Sequence, residues 1–348
     1  MSSAITKRDD RWDILKFFLI FLVVLGHIAD IYADVSRASG ILRFIIYTFH
    51  MPLFIFISGL FGKRTVKERR WDRMGFYLIL YVFIKVLSFI SKWIVNGTKP
   101  HFSLFSDGSV PWYVFCLFAF SVITVFADRF DPKKVFVFSV LLALIAGYDN
   151  DIGDFLCLSR IIVFYPFYFA GYCLEPGRVA DVLGRKKYRI AGAVSLAVCI
   201  ALIILLYDYI KDFKFMFSGR NPFGVIRAGW PFSSLARLVC YAVSCIMGLS
   251  FAAVIPKKIK WEFVAKTGAR SVQIYALHFF LKILYFGLIN DRFGVEKLFV
   301  SRLLIYEIIV AVALTAVTAL PFWSVIFDKW LRLPYKKNYG KREPGSSQ

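Results

Sequence analysis

Apolar residues in this chain do not alternate with polar ones as they would on a half-buried strand or a surface helix. They come in long runs separated by short polar clusters rich in Lys and Arg. A helix rises 1.5 Å per residue, so a hydrocarbon layer about 30 Å thick takes roughly 20 apolar residues. Runs of this order cover 12–32, 41–61, 75–95, 110–126, 135–147, 155–174, 190–207, 233–255, 271–289 and 303–325, the fifth being the shortest. The pattern predicts an all-α, polytopic integral membrane protein with about ten transmembrane helices. A single membrane domain over residues 1–330 accounts for these runs, and a polar, basic tail over 331–348 is expected to be disordered. The first run lacks a small-residue cleavage pattern and is expected to remain as the first membrane helix.

Composition sharpens this picture. Of the residues, 59% are hydrophobic and 19% charged, and the mean hydropathy is +0.63, more apolar surface than a soluble core could hide. A net charge of +21 would suit nucleic acid, but the basic residues lie in clusters between apolar runs and act as a topology signal instead. With the N-terminus in the cytoplasm, the inner connections carry 28 Lys and Arg and the outer ones 11. One outer loop, with Asp149, Asp151 and Asp154, is wholly acidic. Both termini are therefore predicted to be cytoplasmic, in a multi-pass protein of a cell membrane. The six cysteines fall mostly within apolar runs without metal-ligand spacing and read as small buried hydrophobes.

Ionisable groups inside a membrane are costly and mark candidate sites. In the first run Asp13 and Lys16 are three residues apart and can pair on one helix face. Lys16 and His27 are eleven apart, which returns to within about 20° of the same face roughly 16 Å further along. His50 precedes Met51 and Pro52 in the second run, and His278 lies in the ninth. A lone histidine on an apolar helix is more often a packed one bonded to the backbone. Three of the chain's four histidines within spans point instead to chemistry, because imidazole can take a proton from a hydroxyl near neutral pH. Neither HxxxH nor HExxH occurs and carboxylates beside the histidines are lacking, so no metal is expected. Ser58 has no GxSxG around it, and Ser58-Gly59 reads as a helix-packing pair.

The basic cluster at 63–73 is denser than orientation requires. Arg70 and Arg73 suit the phosphates of an anionic donor such as coenzyme A; the competing reading is a belt touching lipid phosphates. No Walker or GxGxxG motif is present. The connection at 208–232, with Ser218, Gly219, Asn221, Pro222 and Gly224, is expected to be structured or re-entrant and to cap an outward-facing site.

Taken together, these residues resemble the acyltransferase-3 family of membrane O-acyltransferases, particularly its branch of fucose 4-O-acetylase-like and surface-polysaccharide acetyltransferases. Lys16 to His27 resembles the family's first-helix signature, with Lys where Arg is commoner and Asp13 at the preceding acidic position. The run from Phe49 to Gly59 is similar to the second-helix signature, and Arg70-Trp71-Asp72-Arg73 to an Arg-x-x-Arg motif. Pro111-Trp112-Tyr113, the aromatic run from Tyr165 to Tyr172, and Ser271 to His278 follow in the same order.

The resemblance implies transfer of an acetyl group from cytoplasmic acetyl-CoA to a hydroxyl of a cell-surface or lipid-linked carbohydrate, with no bound cofactor, in a bacterial plasma membrane. His27 is then a catalytic base or acyl carrier, with Lys16 and Asp13 ordering the inner half of the path. Arg70 and Arg73 bind coenzyme A, while His50, Arg160 and His278 line the pocket. Family members with an SGNH hydrolase-like domain hand the acyl group to it. No such domain occurs in these 348 residues, so the acceptor is expected to be reached directly or through a separate protein. The rival class is a glycan or small-anion transporter or flippase, which also places charge at mid-membrane, although no paired repeat is visible. An interaction-only membrane protein ranks third, having no need of three intramembrane histidines. No residue points to acetyl over succinyl, or to a particular glycan.

Overall fold

A computed structural model describes residues 10–106, 110–225, 232–256 and 262–327. The described part is helical with no strand; 83% of the structure is helix, and the only β feature among the described residues is an isolated bridge between Ser106 and Phe155. In chain order the helices are α1 (Asp10–Tyr32), α2 (Arg37–Lys67), α3 (Trp71–Asn96), α4 (Trp112–Ala127) and α5 (Pro132–Ala146). Then come α6 (Leu158–Cys173), α7 (Pro176–Leu183), α8 (Lys186–Ile210), α9 (Lys214–Phe217) and α10 (Ser233–Val254). The series closes with α11 (Glu262–Ala269), α12 (Ser271–Leu284), α13 (Asp291–Phe293), α14 (Leu303–Thr318) and α15 (Pro321–Ile326).

Each of the ten apolar runs contains a helix, but six helical segments are long and apolar enough to cross a membrane. They are α1, α2, α3, α10, the continuous stretch Lys186–Phe217, and the stretch Ser271–Phe293. The other four, α4, α5, α6 and α14, have 15 or 16 residues, about 23 Å of rise. Local chemistry sets where two of these helices start. Asp131 caps α5 by accepting from the Lys134 N–H and Pro132 fixes its first turn, so the helix cannot extend backward. Leu156 and Cys157 have positive φ, delaying the start of α6 to Leu158. The expected tail, 331–348, lies outside the described residues.

The centre of the bundle is α2, which packs on α1, α6, α10 and α4. Pro52 lies inside α2 and lacks an N–H, so the carbonyl of Thr48, four residues earlier, loses its helical donor. Ser244 of α10 supplies the replacement, its hydroxyl donating to Thr48 O at 2.5 Å. At the α2–α6 crossing, a Cβ on Gly59 would lie 1.9 Å from Tyr168 O, and one on Gly171 would lie 2.0 Å from Phe56 O. Only glycine admits so close an approach of two backbones.

Both ends of α1 are pinned. Arg11, counted by sequence among cytoplasmic charges, is buried and donates to Ala180 O at 2.8 Å and Ala252 O at 2.9 Å. At the far end Tyr32 donates to Glu296 at 2.6 Å, and Asn290 donates to the same carboxylate at 3.1 Å. These two bonds hold the Glu296 carboxyl below the usual carboxylate range. The stripe on α1 is thereby fixed in height and rotation.

Candidate active site

Two cavities open along α1. The first, about 290 Å³, is lined by Lys16, Ser58, Arg73, Tyr77 and Tyr113. The second, about 470 Å³, is lined by His27, His50, Arg160, Tyr47 and Trp112. Val23, Met51 and Tyr275 line both, so the cavities meet across three side chains. This arrangement follows from helical spacing. Val23 is one turn before His27, Met51 follows His50, and Tyr275 is three residues before His278. The Tyr275 hydroxyl is held by the carbonyl of Val110.

In the first cavity Lys16 lies 3.4 Å from Asp13, as the three-residue spacing predicts, and 5.1 Å from the Phe61 ring. A Cβ on Gly268 of α11 would meet the Asp13 carbonyl, so α11 seats directly on this turn. The two arginines of the basic cluster diverge. Arg73 lines the cavity, whereas Arg70, at the N-terminal boundary of α3, is buried and bonds Asp72 at 3.0 Å.

The histidines also divide by role. His50 Nδ1 lies 2.7 Å from Ile46 O; His278 Nδ1 lies 2.9 Å from Tyr275 O and 3.1 Å from Ile274 O. A ring nitrogen facing a carbonyl must carry the proton, which leaves Nε2 as the unprotonated acceptor. These contacts match a packed histidine bonded to its own helix. His27 differs: it is half-buried on the cavity wall, and among the described residues neither ring nitrogen has a protein hydrogen-bond partner. Its ring stacks on that of His278 at 5.5 Å and 27°. His278 is fully buried behind it and is not part of the cavity wall.

Several site residues escaped the sequence reading. Of the basic residues inside the apolar runs, Lys16 and Arg160 were singled out but Lys85, Arg237 and Lys282 were not. Lys282 lines the His27 cavity and donates to the His27 carbonyl at 3.0 Å. Its position four residues after His278, on the same helix face, was a usable signal. Arg43, counted among outer-connection charges, is instead buried within α2, lines the same cavity and bonds Asp30 at 2.9 Å. That pairing depends on the turn between α1 and α2 and leaves no local trace.

The connection after α8 reaches this cavity too. Lys214, Phe217, Ser218, Arg220 and Asn221 line it, while residues 226–231 of that connection lie outside the described part. Three contacts seat the segment: Ser159 donates to Gly219 O at 2.7 Å, the Phe223 N–H to Gly147 O at 2.7 Å, and Arg220 to Asp154 at 2.5 Å. Arg237, fully buried, stacks 4.5 Å from the Phe223 ring and bonds Ala143 O. Among the described residues no group of three or more His, Cys, Asp or Glu could hold a metal ion.

Comparison with curated proteins and with solved structures returns no match. The acyltransferase domain that defines the acyltransferase-3 family matches residues 9–326, from before Asp13 to beyond His278. With six apolar helices of membrane-spanning length inside that match, the chain belongs to the acyltransferase-3 family and is a membrane acyltransferase.

Proposed function

We propose that this acyltransferase carries an acetyl group from cytoplasmic acetyl-CoA to a hydroxyl of a cell-surface or lipid-linked carbohydrate, in the fucose 4-O-acetylase-like branch of its family. The observation that supports this most is the pair of cavities on one stripe of α1, meeting at Val23, Met51 and Tyr275. The Lys16 cavity is the donor side and the His27 cavity the acceptor side. Arg73 holds phosphate of the donor by charge-assisted bonds. Asp13 and Lys16 keep the donor entrance ordered. Arg70, tied to Asp72, holds the start of the helix that carries Arg73.

On the acceptor side His27 is the general base, its ring nitrogens having no competing protein partner among the described residues. His27 takes the hydroxyl proton, the sugar oxygen attacks the thioester carbonyl, and the C–S bond breaks as the C–O bond forms. Coenzyme A leaves as a thiolate, which takes up the proton given up by the hydroxyl and so returns His27 to its neutral form. His50, His278 and Arg160 orient His27 and the acceptor. The thioester carbonyl has to reach His27 past Val23, Met51 and Tyr275. A transporter would also use charge at mid-membrane, but the family match favours the enzyme.

The test is incubation of the purified protein with radiolabelled acetyl-CoA and cell-envelope glycan. Label in an alkali-labile ester on the glycan is the expected result. Its absence, with coenzyme A still bound, would sink the reading.

A further inference from the structure

We propose that Lys282 is a catalytic residue of the transfer, its ammonium receiving the negative charge that develops on the thioester carbonyl oxygen while His27 holds the acceptor's proton. This rests on the reading of His27 as base given above and adds the electrophilic half of the same site.

Acyl transfer to a hydroxyl is fastest when a base removes the proton and a fixed donor meets the oxygen that gains charge. As the C–O bond forms, the π pair of the carbonyl moves onto its oxygen, and it returns as the C–S pair departs on sulfur. The hydroxyl proton passes to His27 and from there to the thiolate, so Lys282 itself gains and loses no proton. In a cavity partly closed to water, an ammonium already in place stabilises such an oxyanion strongly.

Two parallel stripes bring Lys282 to that position. Val23, His27 and Asp30 follow one another on α1 at intervals of four and three residues, Tyr275, Phe279 and Lys282 do the same on α12, and all six line the His27 cavity. Val23 and Tyr275 stand where this cavity meets the Lys16 cavity, so a thioester entering past them runs between the stripes. Three contacts fix α12 against His27. Its ring stacks on His278 at 5.5 Å and meets Phe279 edge-on at 5.9 Å, and Lys282 Nζ donates to its carbonyl at 3.0 Å. The ammonium also lies 5.0 Å from the Phe279 ring.

The other cations on this wall are placed differently. Arg43, Arg160, Lys214 and Arg220 stand beside carboxylates at 2.9, 3.9, 3.7 and 2.5 Å. Lys282 is bonded instead to the residue that carries the base. The Asp30 carboxylate acts on Lys282 at longer range and offsets part of the cost of burying the ammonium, while its own bond goes to Arg43. An ammonium has three N–H donors, and the His27 carbonyl takes one. A hydroxyl about 3 Å from the imidazole puts the attacked carbon about 3–3.5 Å further on. The carbonyl oxygen then comes within reach of a side chain anchored on the same residue.

The experiment measures transfer from radiolabelled acetyl-CoA to envelope glycan by the full chain in lipid nanodiscs. Lys282→Met keeps the apolar stem and removes the charge; Lys282→Gln removes the charge but can still donate an N–H to the His27 carbonyl. Both are expected to lower kcat by roughly a hundredfold or more, the scale of losing one oxyanion donor. KM for acetyl-CoA and for glycan should change little, because the charge that Lys282 meets exists only in the transition state. Ethylammonium added to Lys282→Ala is expected to restore the rate by roughly tenfold or more, as a cation returning to the emptied space lowers the barrier. A near-normal rate in the Gln variant would make Lys282 an anchor for α12 alone, and a loss confined to KM for glycan would make it an acceptor-binding group. Either result, or a lowered kcat that no added amine restores, defeats the proposal while leaving acetyl transfer standing. No label transferred by the wild type, with coenzyme A still bound, removes the acetyl-transfer reading and this proposal with it.

Discussion

His27, His50 and His278 are chemically identical in the sequence and become two kinds of group through what their ring nitrogens touch: His50 and His278 bond carbonyls of their own helices, and His27 does not. His27→Ala should therefore cut acetyl transfer by at least the roughly hundredfold typical of losing a general base, with normal yield and coenzyme A binding. His27→Gln keeps polarity and hydrogen bonding but cannot take the proton, so it should be equally inactive. Transfer near the wild-type rate by the Gln variant would remove His27 from the mechanism. The arginines separate in the same way. Arg73→Ala is expected to raise KM for acetyl-CoA by about tenfold or more, since a charge-assisted bond to phosphate contributes about 1.5–3 kcal/mol. Arg70→Ala, which removes the partner of Asp72 at the start of α3, should lower thermal stability first. Equal effects of both on KM alone would return them to a single phosphate-binding pair.

Helix contacts decide whether this geometry exists at all. Gly59 and Gly171 let α2 and α6 touch backbone to backbone, and α2 carries His50, Met51 and Ser58 to the cavities. Gly59→Ala places a methyl group against the Tyr168 carbonyl, with no flexible side chain to yield. Overpacking of this kind costs about 1–3 kcal/mol, and the loss should appear as a lower Tm in detergent. Gly75→Ala in α3 is the matched control. A Cβ there meets nothing within 4 Å, and alanine favours helix, so Tm should hold or rise. Similar losses at both glycines would show that helix propensity, not the crossing, governs the result. Of the pair Ser58-Gly59, read in sequence as helix packing, Gly59 sits at the crossing whereas Ser58 lines the Lys16 cavity beside Tyr113; the partner of Gly59, Gly171 in α6, was not legible, because nothing local marks which helix lies opposite.

For the molecule as a whole, the alternation of basic clusters predicts which ends of the helices face the cytoplasm. Single cysteines introduced between positions 149 and 154 should react with an impermeant maleimide from outside intact cells, and one at Lys186 should react only after permeabilisation. The opposite pattern would invert the topology. Labelling of both positions from the same side would show that an odd number of spans does not separate them.

The apolar runs were enough to establish a helical membrane protein, because a bilayer imposes length and hydrophobicity on each crossing segment independently of its neighbours. Spacing within one helix was equally legible: Asp13 with Lys16, and Lys16 with His27, follow from 100° per residue alone. Element ends were less so: the cap at Asp131 starts α5 three residues before its apolar run, while the backbone turns at Leu156 and Cys157 delay α6 to three residues after the start of its run. What no local pattern could supply was the meeting of residues from different helices. Arg43 with Asp30, Lys282 with the His27 carbonyl, and Val23, Met51 and Tyr275 between two cavities each depend on how α1, α2 and α12 cross. Crossings are set by side-chain interlocking summed over whole helix faces, as at Gly59 and Gly171, and that sum exists only once the chain has packed.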